Sequence, residues 1–516
     1  MTMSPIKSMD HRLLREAIAD TYNDLEEVLY LTRDCMGKLR TFIGDLRRVK
    51  THIDPLVYQE TLIASQQYTD LYFQQETNII HTMNDLGELA PSETLLVMGE
   101  DTVCQSRNFL RSYQERTGAL VTSTDWQSPS YAHAMRSQAG RQTNTIYATI
   151  NDYKRDQSWD TYYWEHAFLK EYIDAIIKFP IRPLATSSGM SAFTTIVNYL
   201  TMEHASTRPV CIGSSIYYEN KLLLQSLFGD RIVQVDESDT DHIISVIKTH
   251  NPCFIFFDSM TNAPGLPVPD MTAIIRFLVG YVKQDTFLVV DNTCLSAMFQ
   301  PLPLFYGRLT KLRLIVFESL LKYHQFGMDR VPGGVIWATG GDTGKLFDYR
   351  DHLGTILPDA LVQSLPTPNR KLLTARLARY ERNASLIASR LEEWIDTHVN
   401  HPYTKIVYPG LPNHSMHKEN KSLPYHGCYF IVEFKKKKQT VATYKRFISF
   451  VLQTAKRQRV DIVAGTSFGL NSTRIYLTAL RSRPTIPFVR IAVGTEHRIA
   501  IEKVLAVLIS SLSHFK

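Results

Sequence analysis

"LRLIVFESLLKYHQFGMDRVPGGVIWAT", residues 312–339, carries a single lysine, Lys322, between two apolar runs that each read as a buried strand. An ammonium just past a buried strand is costly to desolvate. The plain explanation is a snorkelling surface lysine whose stem covers apolar surface while its head stays wet. The alternative is a lysine held as a Schiff base with a cofactor. That reading needs partners elsewhere in the chain: a phosphate cradle, an acid for a heterocyclic nitrogen and an aromatic cover.

Working outward from this stretch, short apolar runs alternate with helix-period segments: "PVCIGS", "RIVQVD", "CFIFFD", "TFLVVDN", "LRLIVFES" and "GGVIWAT". The alternation predicts an α/β unit with a mostly parallel, buried sheet, whose ligands bind beyond the carboxyl ends of the strands. The polar residues ending those runs are therefore the candidates. "ATSSGMSAFTTIVNYL", residues 185–200, reads as a small-residue turn opening a helix, so that free N–H groups, the helix dipole and two serine hydroxyls converge on one spot. An ordinary serine-capped helix is the competing explanation. Asp291 ends "FLVVD" and could keep a ring nitrogen protonated, or simply cap the next turn. Asn262, in a Gly/Pro-rich loop, could donate to a ring oxygen, although asparagine in a turn needs no such role. Tyr217 in "SSIYYEN" could stack on a flat cofactor or be an ordinary tyrosine.

Toward the N-terminus, residues 9–115 show helical periodicity and almost no strand signal. "LLREAIADTYNDLEEVLYLTRDCMGKLRTFIGDLRRV" spaces apolar residues three and four apart, and "DTVCQSRNFLRSYQERTG" predicts a helix stopping at Gly118. Past residue 365 a long helix, "RKLLTARLARYERNASLIASRLEEWIDTH", leads into a smaller α+β unit containing "CYFIVEF", the loop "AGTSFGLNST" and "VRIAVG". Expected boundaries are an N-terminal helical region at 1–125, a large α/β domain at 126–360 and a small α+β domain at 361–516.

The composition is that of an ordinary globular protein: 516 residues, 44% hydrophobic, 21% charged. A formal charge of +6, spread along the chain, gives no support to a nucleic-acid or membrane partner. "KKKK" at 435–438 follows a strand and reads as a solvated strand end or turn. Six scattered cysteines without CxxC spacing predict reduced thiols, with neither a disulfide framework nor a zinc site. Charged residues Asp10, Arg12, Arg15, Glu16 and Asp20 occupy the place of a signal peptide's apolar core, so a cytoplasmic location is expected. No GxGxxG turn follows a strand, which excludes a nucleotide-binding Rossmann protein.

In order along the chain, "YKR" (153–155), "SSGMSA" (187–192), "IYY" (216–218), "DSMTNAPGLPVPD" (258–270), "VVDNTCLSAMFQPL" (289–302), "ESLLKYHQFGMDRVPGGV" (318–335), "LARYERNASLIASRLE" (377–392), "SFG" (467–469) and "VRIAVGTEH" (489–497) resemble the Cys/Met-metabolism, or trans-sulfuration, family of pyridoxal-phosphate (PLP) enzymes. Cystathionine γ-synthase, the cystathionine lyases and methionine γ-lyase belong to it. The resemblance covers about 145–515 and implies the aspartate aminotransferase-like fold type I. It implies that Lys322 forms the internal aldimine and later shuttles protons, that Asp291 pairs with the pyridinium nitrogen, and that Asn262 contacts the ring oxygen. Tyr217 would stack on the ring and, with Lys322 and Tyr153, make up the catalytic set. Ser188, Gly189, Met190 and Ser319 would cradle the phosphate, joined by Tyr153 and Arg155 from a neighbouring subunit, so a homodimer or tetramer is implied. Arg490 with Ser467 would clamp the α-carboxylate of an amino-acid substrate.

Departures accompany the resemblance. "QSWD" stands where the family has Asn-Pro-Thr, Leu321 replaces the threonine before the lysine, "SFGLNSTRI" lacks the acid many members carry, and the N-terminal helices have no counterpart in compact members. The expected function is elimination at the β- or γ-carbon, or γ-replacement, on an amino acid with a side-chain leaving group. The second class is a diverged binding or regulatory protein whose partner surface is the N-terminal helices.

Overall fold

In the computed structural model the described residues are 10–48, 50, 53–124, 158–174, 181–305, 310–398, 401–478 and 487–515. Three long helices come first: α1 (His11–Arg48), α2 (Pro55–Glu88) and α3 (Glu93–Val121). On α1 the residues Leu14, Ala17, Ile18, Leu25, Val28, Leu31, Cys35, Leu39, Phe42 and Leu46 are all buried, a stripe at three- and four-residue steps that packs against both α2 and α3. Asp54 and Ser92 cap α2 and α3 by accepting from backbone N–H groups of their first turns. Gly118 does not stop α3, which runs on to Val121. The glycine serves close approach instead: a Cβ there would sit 2.3 Å from the Ala360 carbonyl and 2.1 Å from the Ser364 hydroxyl.

After α4 (Trp159–Tyr172) the chain builds a seven-stranded sheet from β1 (Leu184–Thr186), β2 (Val210–Gly213), β3 (Ile232–Val235), β4 (Phe254–Asp258), β5 (Thr286–Asp291), β6 (Leu312–Ser319) and β7 (Gly334–Ala338), in the order β1-β7-β6-β5-β4-β2-β3. The pairings from β3 to β6 are parallel and only β7 runs against its neighbours. Helices α5 (Gly189–Glu203), α6 (Tyr218–Phe228), α7 (Thr240–His250) and α8 (Met271–Tyr281) cross between strands. Both faces of the sheet are therefore covered, and successive residues of one strand fall into different cores. Phe254 and Phe256 pack with Phe193, Ile196 and Leu200 of α5, whereas Ile255 and Phe257 pack on the side of Ile243, Ile274 and Leu278. This explains runs that are apolar throughout.

Helices α9 (Asp342–His352), α10 (Asp359–Ser364) and α11 (Arg370–Thr397) lead to a five-stranded sheet made of β8 (Tyr403–Val407), β9 (Tyr429–Phe434), β10 (Val463–Ala464), β11 (Arg474–Thr478) and β12 (Phe488–Ala492), ordered β10-β11-β12-β9-β8. The one-turn α12 (His417–Asn420), α13 (Val441–Gln458) and α14 (Arg498–His514) complete the chain's helices among the described residues. The four lysines at 435–438 lie exposed around a short 3-10 turn. All six cysteines are free, and no described helix is long and apolar enough to cross a membrane.

Candidate active site

Parallel pairing of β4 with β5 puts Asp258 directly beside Asp291 at the carboxyl end of the sheet. Asp258 is buried and Asp291 half-buried, and desolvation pushes the Asp258 carboxyl well up and that of Asp291 to about 6. Asp258 accepts from the Tyr217 N–H at 2.8 Å, and Asp291 accepts from the Thr293 N–H at 3.0 Å. The Thr293 hydroxyl in turn accepts from the Ser319 N–H at 2.9 Å, so Asp291 and the end of β6 are linked through one side chain. Among the described residues neither acid bonds a cation, and a protonated ring nitrogen would satisfy such a pair.

Ser188 caps α5, accepting from the Ser191 N–H, and its hydroxyl and that of Ser187 both lie within 2.9 Å of the Ser191 hydroxyl. The turn sits tightly against neighbouring strands. A Cβ on Gly189 would come 2.9 Å from Ser319 Cβ, and one on Gly334 would come 2.4 Å from the Ser188 carbonyl oxygen. Free amides, hydroxyls and a helix N-terminus therefore meet beside Ser319, which suits an anion. Met190 packs at the edge of the core beneath. Asn262 keeps a buried side-chain oxygen without a partner; rotating the amide would present its NH2 there instead. The Tyr217 ring is 43% exposed, free to lie against a flat ligand, and burial together with Glu219 pushes its phenol up to about 12.

Lys322 lies three residues beyond β6, in a turn held by the Leu320 N–H donating to the Gly333 carbonyl at 2.8 Å. Below it Glu318 accepts from His324 at 2.9 Å and from the Ser296 hydroxyl at 2.9 Å. The Lys322 amine donates to Ser467 Oγ at 2.8 Å and stands 5.3 Å from the centre of the Phe468 ring. Desolvation, then the charge of Arg490, lowers its pKa from the ordinary lysine value. Arg490, on β12 and only 5% exposed, donates to the Ser467 carbonyl at 3.0 Å, leaves its Nε buried without a partner, and lies over Tyr429 and Phe468 at 5.3 and 5.7 Å. Ser467 thus joins the lysine and the arginine, from a left-handed backbone (φ +70°) that a serine seldom adopts.

Of the residues singled out in the sequence, Lys322, Ser467 and Arg490 form one cluster, and Ser188, Gly189 and Ser319 another. Asp291 is linked to Ser319 through Thr293. Tyr153 and Arg155 lie outside the described residues. Sequence reasoning passed over Asp258, Thr293 and Phe468. Asp258 ends an apolar run in the same way as Asp291 does, and that shared ending was the available signal.

Over residues 115–503 the sequence matches the family described as Cys/Met metabolism PLP-dependent enzyme. The chain belongs to this family. It is 24% identical over 336 residues to the "Bifunctional enzyme flvA" of Aspergillus flavus, covering 64% of this chain and 39% of that protein. Against the cystathionine gamma-lyase of Mus musculus it is 30% identical over 256 residues, 49% of this chain and 58% of that one. The matched stretch is thus less than two thirds of the length of either relative. Among solved structures, cystathionine gamma synthase from Xanthomonas oryzae pv. oryzae superposes with a TM-score of 0.57 at 18% identity, over 76% of this chain and 92% of that one. Cystathionine gamma-lyase from Lactobacillus plantarum gives 0.55 at 20% identity, over 78% and 99%. The fold is the PLP fold type I expected from the sequence, with helices α1 and α2 and most of α3 lying outside the family match.

Proposed function

We propose that this protein is a PLP-dependent enzyme that eliminates or replaces a leaving group on the side chain of an amino acid, of the cystathionine or homoserine-derivative type. The observation that carries this reading is the cluster in which one serine, Ser467, binds both the Lys322 amine and the Arg490 guanidinium. A lysine and a carboxylate-binding cation joined through one residue are what chemistry at an amino acid's α-carbon requires.

The residues present fit PLP. Ser188, Gly189, Met190 and Ser319 would hold its phosphate, Asp291 its ring nitrogen, Asn262 its ring oxygen and Tyr217 its face, with Tyr153 and Arg155 reaching the phosphate from a neighbouring subunit. Bound PLP supplies an electron sink that acidifies the substrate's α C–H. Lys322 is the group that would hold the cofactor covalently and, once freed, take the α-proton. Its lowered pKa keeps more of the amine neutral and able to accept that proton. The Ser467 hydroxyl aims the amine, and Arg490 orients the substrate through its α-carboxylate. Tyr153 would assist proton transfer at the leaving group. Leu321 offers the phosphate no hydroxyl, so the serines of the turn at 187–191 carry that task. We assign the chain to three domains, 1–125, 126–360 and 361–516, in a cytoplasmic homo-oligomer.

The test is the visible spectrum of the purified protein beside Lys322→Ala, before and after borohydride. A yellow band that borohydride bleaches in the wild type, absent from the variant, is expected. A protein that stays colourless with added PLP overturns the reading and favours a binding role for the chain.

A further inference from the structure

Three acids on α1, Asp20, Asp24 and Glu27, face three arginines on α11 in antiparallel order. Arg382 bonds Asp20 at 2.8 Å, Arg379 bonds Asp24 at 2.7 Å, and Arg376 bonds both oxygens of Glu27 at 2.8 and 2.9 Å. Arg107 of α3 adds a contact to Asp24 at 3.1 Å. The Arg376 and Glu27 side chains are only 1% and 8% exposed. Such a seam is a poor source of stability, because desolvating the charges offsets most of their attraction, but it fixes register, since one helical step out of place leaves buried charges unpaired.

That register is passed to the cluster around Lys322 by two routes. Arg376 extends its other nitrogen to the Asn471 side-chain oxygen at 2.6 Å. The Asn471 amide fills the space above Gly327, where a Cβ would meet it at 2.5 Å and where φ is +76°. Arg111 of α3 donates to the Gly327 carbonyl at 3.3 Å. Gly327 lies in the loop that follows Lys322, and Asn471 in the loop that follows Ser467. The two loops also touch directly: a Cβ on Gly469 would be 2.5 Å from the Lys322 carbonyl.

We propose that the N-terminal helices are a working part of the active site, with Glu27 acting through Arg376 and Asn471, and Arg111 acting through Gly327, as positioning residues that set Lys322 against Ser467 and Arg490. This rests on the reading that Lys322 holds PLP and Arg490 the substrate carboxylate. The charges that face Lys322 are Arg490, Asp329 and Asp291, with the Cys294 thiol nearby. Loosening either loop moves Lys322 or Ser467 away from Arg490, which stays on β12, so the lysine loses the influence of that charge and the arginine its aim at the carboxylate.

The experiment uses the full-length, PLP-loaded protein as wild type, Glu27→Gln, Asn471→Ala, Arg111→Gln and, as control, Asp34→Asn. Asp34 ties the same helices to the Thr367 hydroxyl at 2.5 Å without touching either loop. The pH midpoint of the visible cofactor band and the separate kcat and KM are read. The three variants are expected to raise the midpoint by roughly half a unit or more and KM by about tenfold, with the control at wild-type values in both. Arg111 is half-buried, so Arg111→Gln still decides the matter if Glu27→Gln does not fold. Midpoints and KM values unmoved in Asn471→Ala and Arg111→Gln, or moved as far in Asp34→Asn, overturn the proposal while leaving the PLP reading intact. A wild type with no cofactor band overturns both.

Discussion

Replacing Arg490 by lysine keeps a cation on β12 but removes the planar pair of donors that a carboxylate accepts in parallel. One nitrogen of Arg490 is already committed to the Ser467 carbonyl at 3.0 Å, while Nε is buried and unpartnered, a donor waiting for an acceptor. A lysine, with its single point of charge, cannot serve both partners. The loss is at least one charge-assisted hydrogen bond, about 1.5–3 kcal/mol. At 1.4 kcal/mol per decade that raises KM by roughly 10- to 150-fold. The carboxylate is held equally before and during the chemical step, so kcat should stay within a few fold. Steady-state kinetics with an amino-acid substrate and with the matching amine, which lacks the carboxylate, separate the effects. Arg490→Lys should penalise the acid and spare the amine. An equal penalty on both would refute a carboxylate clamp and leave Arg490 as packing for Tyr429 and Phe468.

In the cofactor-free protein Asp291 holds its proton up to about 6, against about 4 for an ordinary carboxyl, and Asp258 shifts the same way. The contribution of Asp291 to stability is present below about pH 4 and is lost as the pH rises through 6, and that of Asp258 is likewise lost with rising pH. Thermal melts without cofactor should therefore fall across that window, and PLP, whose ring cation offsets the charge, should flatten the fall; a flat cofactor-free profile would show that the acids already have a cationic partner. Gly334→Ala drives a methyl to 2.4 Å from the Ser188 carbonyl, an overpacking cost of about 1–3 kcal/mol at the phosphate turn. PLP affinity followed by fluorescence should drop about tenfold or more, while Gly280→Ala, with open space around it on α8, should bind PLP as the wild type does.

The large sheet was legible because its central strands are buried on both faces and so are largely apolar, and because β4, β5 and β6 end on polar residues where ligands collect. Asp291 stood out for that reason and Lys322 as an ammonium just past a buried strand, whereas Arg490 followed only from the order of the surrounding segments, which identified the family. Other features depended on distant parts of the chain. Gly118 looks like a helix stop in sequence, yet its use is the approach of α10, 242 to 246 positions further on (Ala360 and Ser364). Asp20, Asp24 and Glu27 read as the wet side of an amphipathic helix, because nothing near them in sequence announces the arginines of α11. Asp258 ends its apolar run as Asp291 does, but its place beside Asp291 comes from the parallel register of β4 and β5.

The seam between α1 and α11 also bears on how the chain reaches its native state. Glu27, Asp24 and Asp20 find their arginines 349, 355 and 362 positions later, and Asp20 accepts the N–H of Arg498 478 positions later. At about 5–20 residues per second, a ribosome needs roughly 17–70 s to synthesise the first of those intervals. Throughout that time α2 and α3 can cover part of the buried stripe of α1 and Arg107 of α3 can reach Asp24, but the acids lack their α11 partners. Closure comes late and over long loops, so refolding from denaturant should be slow and should gain active-site order in its last phase.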